Sequence, residues 1–270
     1  MIVFKIWFSI LAFALGSSLG SFVGLLAQRV PKGMSIIKPN SHCNKCKKSI
    51  KLYDNIPVLS WIILGGKCRY CKAPIGTFSL LLEIAGGLGY MLTYLQYGNR
   101  FENLPIFLAL IVLIFLFLII AAIDYETHDI YNITLIIFAL ISVFIFAYRI
   151  TVLDSNAWSY IGGAIFGFIF FCSVKLISQT ILKQDALGAG DVYLVGIAGL
   201  ILGIFPLLIS IIIATLLGSI IELVKIKTAK TSGESEIAFG PYLLFGIAIM
   251  AIYGEVFMNF YWEVMLNVIA

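Results

Sequence analysis

The sequence predicts an all-α polytopic membrane protein with about eight transmembrane helices and a zinc-binding loop after the first of them. Of its 270 residues, 61% are hydrophobic and only 12% are charged. A soluble domain of this length carries about 25% charged residues. Apolar runs of the length that crosses a bilayer also recur along the chain. Together these observations exclude a soluble globular protein, and we expect membrane lipids but no nucleic acid among its partners.

Eight apolar runs are candidate spans. They cover residues 5–28, 77–98, 103–123, 131–149, 157–181, 190–204, 206–224 and 239–262. The sixth run is short and is separated from the seventh only by Gly203 and Pro206, so these two could form one kinked unit. The first run is too long for a cleaved secretory signal, and most of its flanking basic residues follow it, so we predict a retained helix. The predicted regions are a first helix at 1–28, a cysteine loop at 29–76 and a membrane bundle at 77–270.

Basic residues predict the orientation of these helices, because Lys and Arg near helix ends favour the cytoplasmic side. Seventeen of the eighteen Lys and Arg residues fall in loops or at helix ends. Fourteen of them are predicted on one side of the membrane, including ten in the cysteine loop. The other three, Lys5, Arg100 and Arg149, are predicted on the opposite side. The cysteine loop is therefore predicted to be cytoplasmic, and its basic residues would hold it against anionic headgroups. The last three of these fourteen basic residues along the chain are Lys225, Lys227 and Lys230.

Four cysteines in this loop predict a metal site. Cys43 and Cys46 form one C-x-x-C pair, and Cys68 and Cys71 form another. Two such pairs supply the four thiolates of a closed tetrahedral zinc site, which stabilises a fold and does not activate water. A reducing compartment argues against disulfides. Redox-active or unused thiols are the alternative.

Two aspartates are the candidate catalytic residues. Asp124 ends the third span and Asp191 begins the sixth, after Gly188-Ala189-Gly190. An ionisable residue at the edge of a membrane span is costly, which marks it as functional. Two crossings separate the aspartates, which returns both to the same side. The alternative, a spectator acid at a helix start, fits Asp191 better than Asp124, because a carboxylate at a helix C-terminus opposes the helix dipole.

Placed together, these carboxylates would share one proton, because two neighbouring carboxylates cannot both ionise easily. The ionised one would take a proton from an attacking water, and the protonated one would donate to the developing oxyanion. The pair titrates as a unit, so neither role is assigned to a particular residue. Gly188 and Gly190 lack Cβ atoms and would let a substrate strand approach Asp191. Glu126 could tune the pair, although a solvated loop acid is the alternative.

These motifs, in this order, resemble those of the bacterial type IV prepilin peptidases, which are bifunctional leader peptidases and N-methyltransferases. The resemblance covers nearly the whole chain. It rests on the stretch from Gly20-Ser21-Phe22 to Arg29-Val30-Pro31, both cysteine pairs with Tyr53-Asp54-Asn55-Ile56-Pro57 between them, Glu83, Ile123-Asp124, Gly188-Ala189-Gly190-Asp191 and Phe239-Gly240-Pro241-Tyr242. One departure is Tyr131-Asn132, which stands where the family usually has Pro-Asp.

The resemblance implies an aspartic peptidase of the bacterial inner membrane, with Asp124 and Asp191 as its catalytic pair on the cytoplasmic side. Its substrates would be prepilins or pseudopilins, cut after a short basic leader and before a hydrophobic helix. It also implies methylation of the new N-terminal residue by S-adenosylmethionine, an activity that the family ties to the cysteine loop. No glycine-rich nucleotide loop in the sequence locates the methyl-donor site.

Two other functions fit parts of the sequence. A presenilin-like intramembrane protease shares the Gly-x-Gly-Asp motif, but its first motif has Tyr before Asp, where this chain has Ile123. A non-enzymatic membrane carrier or scaffold with a zinc ribbon would use the aspartates for ion movement, but carriers place such charges near the midplane and have repeated halves.

Overall fold

A computed structural model describes residues 2–38, 40–98, 101–153, 155–183, 187–229 and 238–269, and these are almost entirely helical. Two basic residues used to predict orientation, Arg100 and Lys230, lie outside this part of the chain. The helices are α1 (Ile2–Arg29), α2 (Leu59–Ile63), α3 (Thr77–Tyr97), α4 (Leu104–Thr127), α5 (Asn132–Thr151), α6 (Ala157–Ile177), α7 (Ala189–Leu202), α8 (Ile204–Ala229) and α9 (Gly240–Ile269).

Seven helical segments are long and apolar enough to cross a membrane, which confirms the predicted all-α membrane class. They are α1, α3, α4, α5, α6 with the first residues of the π-helical turn Ser178–Leu182, α8 and α9. The described residues form no strand, only two isolated bridges, between His42 and Ser49 and between Lys67 and Pro74.

The sixth predicted span differs from the other seven. It forms α7, whose 14 residues reach about 21 Å, less than the ~30 Å hydrocarbon thickness of a bilayer. Gly203 ends the helix with a φ of +77°, a conformation that favours glycine. A new helix begins at Ile204, with Pro206 in its first turn, where the missing N–H of proline is tolerated. The sixth and seventh runs are therefore two helices, of which only the second has the length of a span.

The chain divides into two compact units, Met1–Thr127 and His128–Ala270. In the first unit, α1 packs against α3 and α4. Glycines allow the contact between α1 and α3: a Cβ added at Gly16 would collide with the carbonyl oxygen of Gly86, and one at Gly20 with that of Leu82. Small residues of this kind let membrane helices approach closely.

The second unit is built around α7. Nine of the fourteen residues of this helix are buried, and it packs against α5, α6, α8 and α9. The contact with α6 is again close, because a Cβ at Gly199 would collide with the backbone of Gly163. In the same unit, the buried Arg149 guanidinium lies 3.2 Å from Glu255 of α9 and donates to the Tyr160 hydroxyl at 3.1 Å.

Candidate functional site

The first cysteine pair lies in a tight turn closed by its own backbone. The N–H of Cys43 donates to the carbonyl of Lys48 at 3.0 Å, and the N–H of Lys47 donates to the carbonyl of Cys43 at 2.8 Å. Lys47 adopts a φ of +58°, which reverses the chain after Cys46. Both thiols are thus presented from the same turn.

The second cysteine pair repeats this turn 25 positions later. The N–H of Cys68 donates to Ala73 at 2.8 Å, the N–H of Lys72 donates to Cys68 at 3.0 Å, and Lys72 has a φ of +56°. Residues 41–50 and 66–75 are therefore two copies of one structural unit. Their shared Cys, Cys, Lys and Ile positions were visible in the sequence as a repeat, which the sequence analysis missed.

The two turns bring all four sulfur atoms together. The Sγ atoms of Cys43, Cys46, Cys68 and Cys71 lie within 4.8 Å of one another, and those of Cys43 and Cys71 are 3.7 Å apart. A tetrahedral zinc with Zn–S bonds of about 2.3 Å requires sulfur atoms about 3.8 Å apart. None of the four forms a disulfide. The predicted cysteine cluster is confirmed, and its donors fit zinc.

Backbone groups favour thiolate at two of these cysteines. The N–H groups of Cys46 and Lys45 lower the pKa of Cys43 to about 6. Those of Cys71 and Tyr70 lower the pKa of Cys68. Cys71 differs: its contact with the Ala73 N–H lowers the pKa, but desolvation and the neighbouring thiols outweigh it and raise the pKa to about 11. Four sulfur atoms crowded in this way cannot all hold negative charge without a cation between them.

Two carboxylates hold the loop in place. Asp54 accepts from Arg69 at 2.8 Å from Nε and 2.5 Å from Nη2, which ties the segment between the turns to the second turn. This pairing with the guanidinium lowers the pKa of Asp54. Glu83 of α3 accepts from the backbone N–H of Val58 at 2.7 Å and from the Ser79 hydroxyl at 3.4 Å. The sequence marked Glu83 by resemblance, but the contact with the loop could not be found without the structure.

Asp124 lies in the last turn of α4, which continues to Thr127. It is 5% exposed, whereas Tyr125 and Glu126 beside it are exposed. The Tyr125 ring stacks on Phe78 of α3, with ring centroids 4.7 Å apart, which fixes the end of α4 within the first unit. The buried carboxylate therefore sits at a helix C-terminus, where the dipole does not stabilise its charge.

Asp191 is the third residue of α7, after the N-cap Gly188, and is 7% exposed. A Cβ at Gly188 would lie 3.4 Å from its Oδ2, so the carboxylate bends back over the glycine. A Cβ at Gly190 would lie 2.8 Å from the Cβ of Ile130. Close packing against Ile130 therefore explains the glycine at position 190, whereas position 188 has room for a Cβ.

The catalytic candidates belong to different units: Asp124 to the first and Asp191 to the second. His128 and Asp129, which follow α4, are exposed, and His128 has a φ of +56°. A further group was missed in the second unit: Glu222 accepts from Lys225 Nζ at 2.7 Å and from the Tyr242 hydroxyl at 3.1 Å. Tyr242 is the last residue of the Phe-Gly-Pro-Tyr motif, and this motif could have pointed to the group from the sequence.

The fold and the cysteine cluster define a multi-span α-helical membrane protein with four clustered thiols, a set that could hold a metal ion, in the loop after its first span. Comparison with known families adds two matches. Residues 14–97 match the Bacterial Peptidase A24 N-terminal domain, and residues 111–223 match the Type IV leader peptidase family.

Several curated relatives are similar over most of the chain. A "Prepilin leader peptidase/N-methyltransferase" of Bacillus subtilis is 29% identical over 92% of this chain and 96% of the relative. A "Type 4 prepilin-like proteins leader peptide-processing enzyme" of Escherichia coli is 30% identical over 80% of this chain and 77% of the relative. A relative from Myxococcus xanthus, named like the first, is 30% identical over 84% of this chain but only 65% of its own length. No solved structure matches the chain.

The chain belongs to the type IV leader peptidase family. It is therefore a bacterial membrane protein of a peptidase family, and none of the relatives described above is a presenilin or a carrier.

Proposed function

We propose that this protein removes the leader peptide of prepilin-like proteins, with Asp124 and Asp191 as the paired catalytic carboxylates. The main support is the placement of both side chains. Each is more than nine-tenths buried at the end of an apolar helix, where an ionised carboxylate is costly unless it has a function. Because the chain belongs to a leader peptidase family, we propose that this function is peptide-bond hydrolysis.

The chemistry follows from two carboxylates that share one proton. The ionised carboxylate takes a proton from water, and the oxygen of that water attacks the carbonyl carbon of the scissile peptide. The protonated carboxylate donates to the carbonyl oxygen as negative charge develops there. Collapse of the tetrahedral intermediate breaks the C–N bond, and a proton passes to the leaving amine. No covalent enzyme intermediate is needed. Gly188, Gly190 and Glu126 are the residues that we expect to support this pair.

The substrate class comes from the names of the relatives. They act on prepilins or prepilin-like proteins, so we propose the same substrates here, whether prepilins or pseudopilins. We propose that the aspartates and the cysteine loop lie on the cytoplasmic side, and the charge asymmetry of the loops supports this orientation. We also propose zinc at Cys43, Cys46, Cys68 and Cys71, where it would stabilise the loop.

We further propose that the protein methylates the N-terminal residue exposed by cleavage. The support is the name N-methyltransferase, which several relatives carry, together with the cysteine loop that the resemblance ties to this activity. The methyl donor would be S-adenosylmethionine.

The test uses purified protein in lipid nanodiscs with a purified prepilin, followed by intact mass spectrometry. We expect the wild type to produce a substrate shortened by its leader and, when the donor is present, heavier by one methyl group. Asp124→Asn and Asp191→Asn should each lower the cleavage rate by about a thousandfold or more, because asparagine can neither accept the proton from water nor share a proton with the remaining carboxylate. Asp129→Asn, an exposed acid five positions after Asp124, is the matched control. Cleavage by either catalytic variant at the wild-type rate would contradict the proposal.

A further inference from the structure

A large cavity lies within the first unit, between the cysteine loop, the C-terminal half of α1 and the first turn of α3. Its volume is about 1220 Å³. Its helical wall follows α1 from Ser18 to Arg29, a length of about 17 Å. Ligand pockets usually have volumes of about 300–1,000 Å³, so this cavity can hold a cofactor-sized molecule and part of a second one.

The lining combines aromatic rings with charges of both signs. Phe22 of α1, Phe78 of α3 and Tyr70 of the second cysteine turn supply the rings. Arg29, which also donates to the carbonyl of Ser35, and Lys32 supply cations, and Asp54 supplies a carboxylate that is paired with Arg69. The Lys48 ammonium lies 4.8 Å from the centre of the Tyr70 ring, so this ring face already accepts a cation. Such a lining suits a ligand that has a flat ring, a carboxylate and a positive charge.

The backbone beside the cavity is strained, which is a second, independent observation. Val58 adopts φ +62° and ψ −52°, and the N–H of Leu59 closes a tight turn by donating to Pro57 at 2.6 Å. A β-branched residue in this conformation is an outlier. Glu83 holds it there through the bond to the Val58 N–H. Strain of this kind persists where its surroundings fix it, and it concentrates at ligand sites.

The strained turn forms part of the cavity wall. Asn55 and Pro57, immediately before Val58, line the cavity, as does Ser79, which donates to Glu83. The buried carboxylate therefore fixes the position of one wall relative to α3.

We propose that this cavity is the binding site for S-adenosylmethionine. The inference rests on the methyl-transfer part of the proposed function and gives that activity a location. The adenine would stack on the aromatic rings, and the donor carboxylate would pair with the basic side chains. The sulfonium, a cation, would lie against an aromatic face. Phe22 and Leu25, the two apolar side chains that α1 contributes to the lining, leave a place for the hydrophobic N-terminal residue that receives the methyl group.

Methyl transfer from S-adenosylmethionine to the N-terminal amine needs no further reagent. The lone pair of the neutral N-terminal amine attacks the methyl carbon, and the C–S bond breaks. Its electrons stay on sulfur, which becomes a neutral thioether. The methylated amine then releases a proton to water. An α-amino group has a pKa of about 7.7–8.0, so a sufficient fraction is neutral near pH 7.

Equilibrium binding tests this site directly. Isothermal titration calorimetry would measure S-adenosylmethionine binding to zinc-loaded protein in lipid nanodiscs. Ser21→Phe adds a ring inside the cavity, and Tyr70→Ala removes one from its lining. We expect each to raise the dissociation constant at least tenfold. Ala14→Phe adds a ring to the exposed side of α1, away from the cavity, and should leave the constant unchanged. Helix content and bound zinc, measured on every variant, confirm folding.

The outcomes separate this inference from the proposed function. Unchanged affinity in both cavity variants, in a protein whose wild type methylates its substrate, would overturn the cavity assignment and leave the proposed function intact. A wild type that removes leaders but neither binds the donor nor methylates would overturn the inference together with the methyl-transfer proposal. Loss of affinity in both cavity variants, with Ala14→Phe unaffected, would support the site.

Discussion

At the scale of single residues, Glu83 links a membrane helix to the cysteine loop. Glu83→Leu would leave the partly buried N–H of Val58 without its acceptor, a loss that costs about 1–3 kcal/mol where the group is shielded from water. Glu83→Gln keeps an acceptor oxygen and should cost less. Thermal unfolding of the purified protein in detergent would measure the difference. Ser79→Ala, which removes only the 3.4 Å bond, is the control, and equal stability of the Leu and Gln variants would contradict this role.

The Asp54–Arg69 pair gives the loop a specific pH dependence. Arg69 lowers the pKa of Asp54, so the pair stabilises the folded loop above the ordinary carboxyl pKa of about 3.9. That contribution disappears as the pH falls through the lower pKa of the folded state.

Asp54→Asn should therefore weaken the loop throughout the range above that pKa. We expect the variant to release its zinc at a higher pH than the wild type when both are acidified from pH 7. A chromogenic zinc indicator would follow the release, with Asn55→Ala as the neighbouring control. Identical release curves for wild type and Asp54→Asn would show that the ion pair does not support the metal site.

The residue types at both candidate sites could be predicted from the sequence, but most of their contacts could not. Cys43, Cys46, Cys68 and Cys71 were predictable because a C-x-x-C turn presents both thiols locally. The bond from Val58 to Glu83 was not, because it joins positions 25 residues apart through a strained turn that no propensity favours. Local sequence patterns do not predict tertiary contacts of this kind.

At the scale of elements, the start of α7 depends on one close contact. A Cβ at Gly190 would lie 2.8 Å from the Cβ of Ile130, whereas one at Gly188 would meet only the Asp191 carboxylate, at 3.4 Å. We therefore expect Gly190→Ala to displace the helix start that carries Asp191 and to lower the rate of leader cleavage at least tenfold. Gly188→Ala is the matched control and should have the smaller effect. Mass spectrometry of prepilin cleavage would compare them, and a larger loss in Gly188→Ala would contradict this packing.

The spans were predicted to within a few residues at most ends, because hydrophobic runs determine them. For α7, hydrophobicity alone gave the wrong length. Its run is apolar enough for a span, but Gly203 ends the helix after 14 residues. Burial by four neighbouring helices, not length, accounts for its apolar sequence. The two cysteine turns show the opposite case, since their shared structure was present in the sequence as a 25-residue repeat.

At the scale of the whole molecule, the metal should stabilise the loop without being required by the membrane helices. We expect the purified protein to hold about one zinc per chain by plasma mass spectrometry. Cys68→Ser should lose it, and trypsin should then cut at the basic residues of 29–76, because structural zinc supplies much of the folding free energy of such modules. Helix content should change little.

The remaining cysteine provides the control for this experiment. Cys172 lies in α6, within a candidate span and outside the cluster. Cys172→Ser should leave zinc content and trypsin sensitivity unchanged. A wild-type protein without zinc, or a Cys68→Ser variant that retains it, would contradict the metal assignment.

We propose that Asp124 and Asp191 share one site at the membrane edge, and disulfide trapping would detect their proximity. Both would be replaced by cysteine in a Cys172→Ser background with the four loop cysteines held by zinc, then oxidised in lipid nanodiscs and mapped by mass spectrometry. Gly24→Cys with Ser79→Cys, whose Cβ atoms would lie 3.8 Å apart within the first unit, a separation that suits a disulfide, is the positive control. We expect a disulfide between positions 124 and 191. If the control pair forms a disulfide and this pair does not, the two aspartates do not form a catalytic pair.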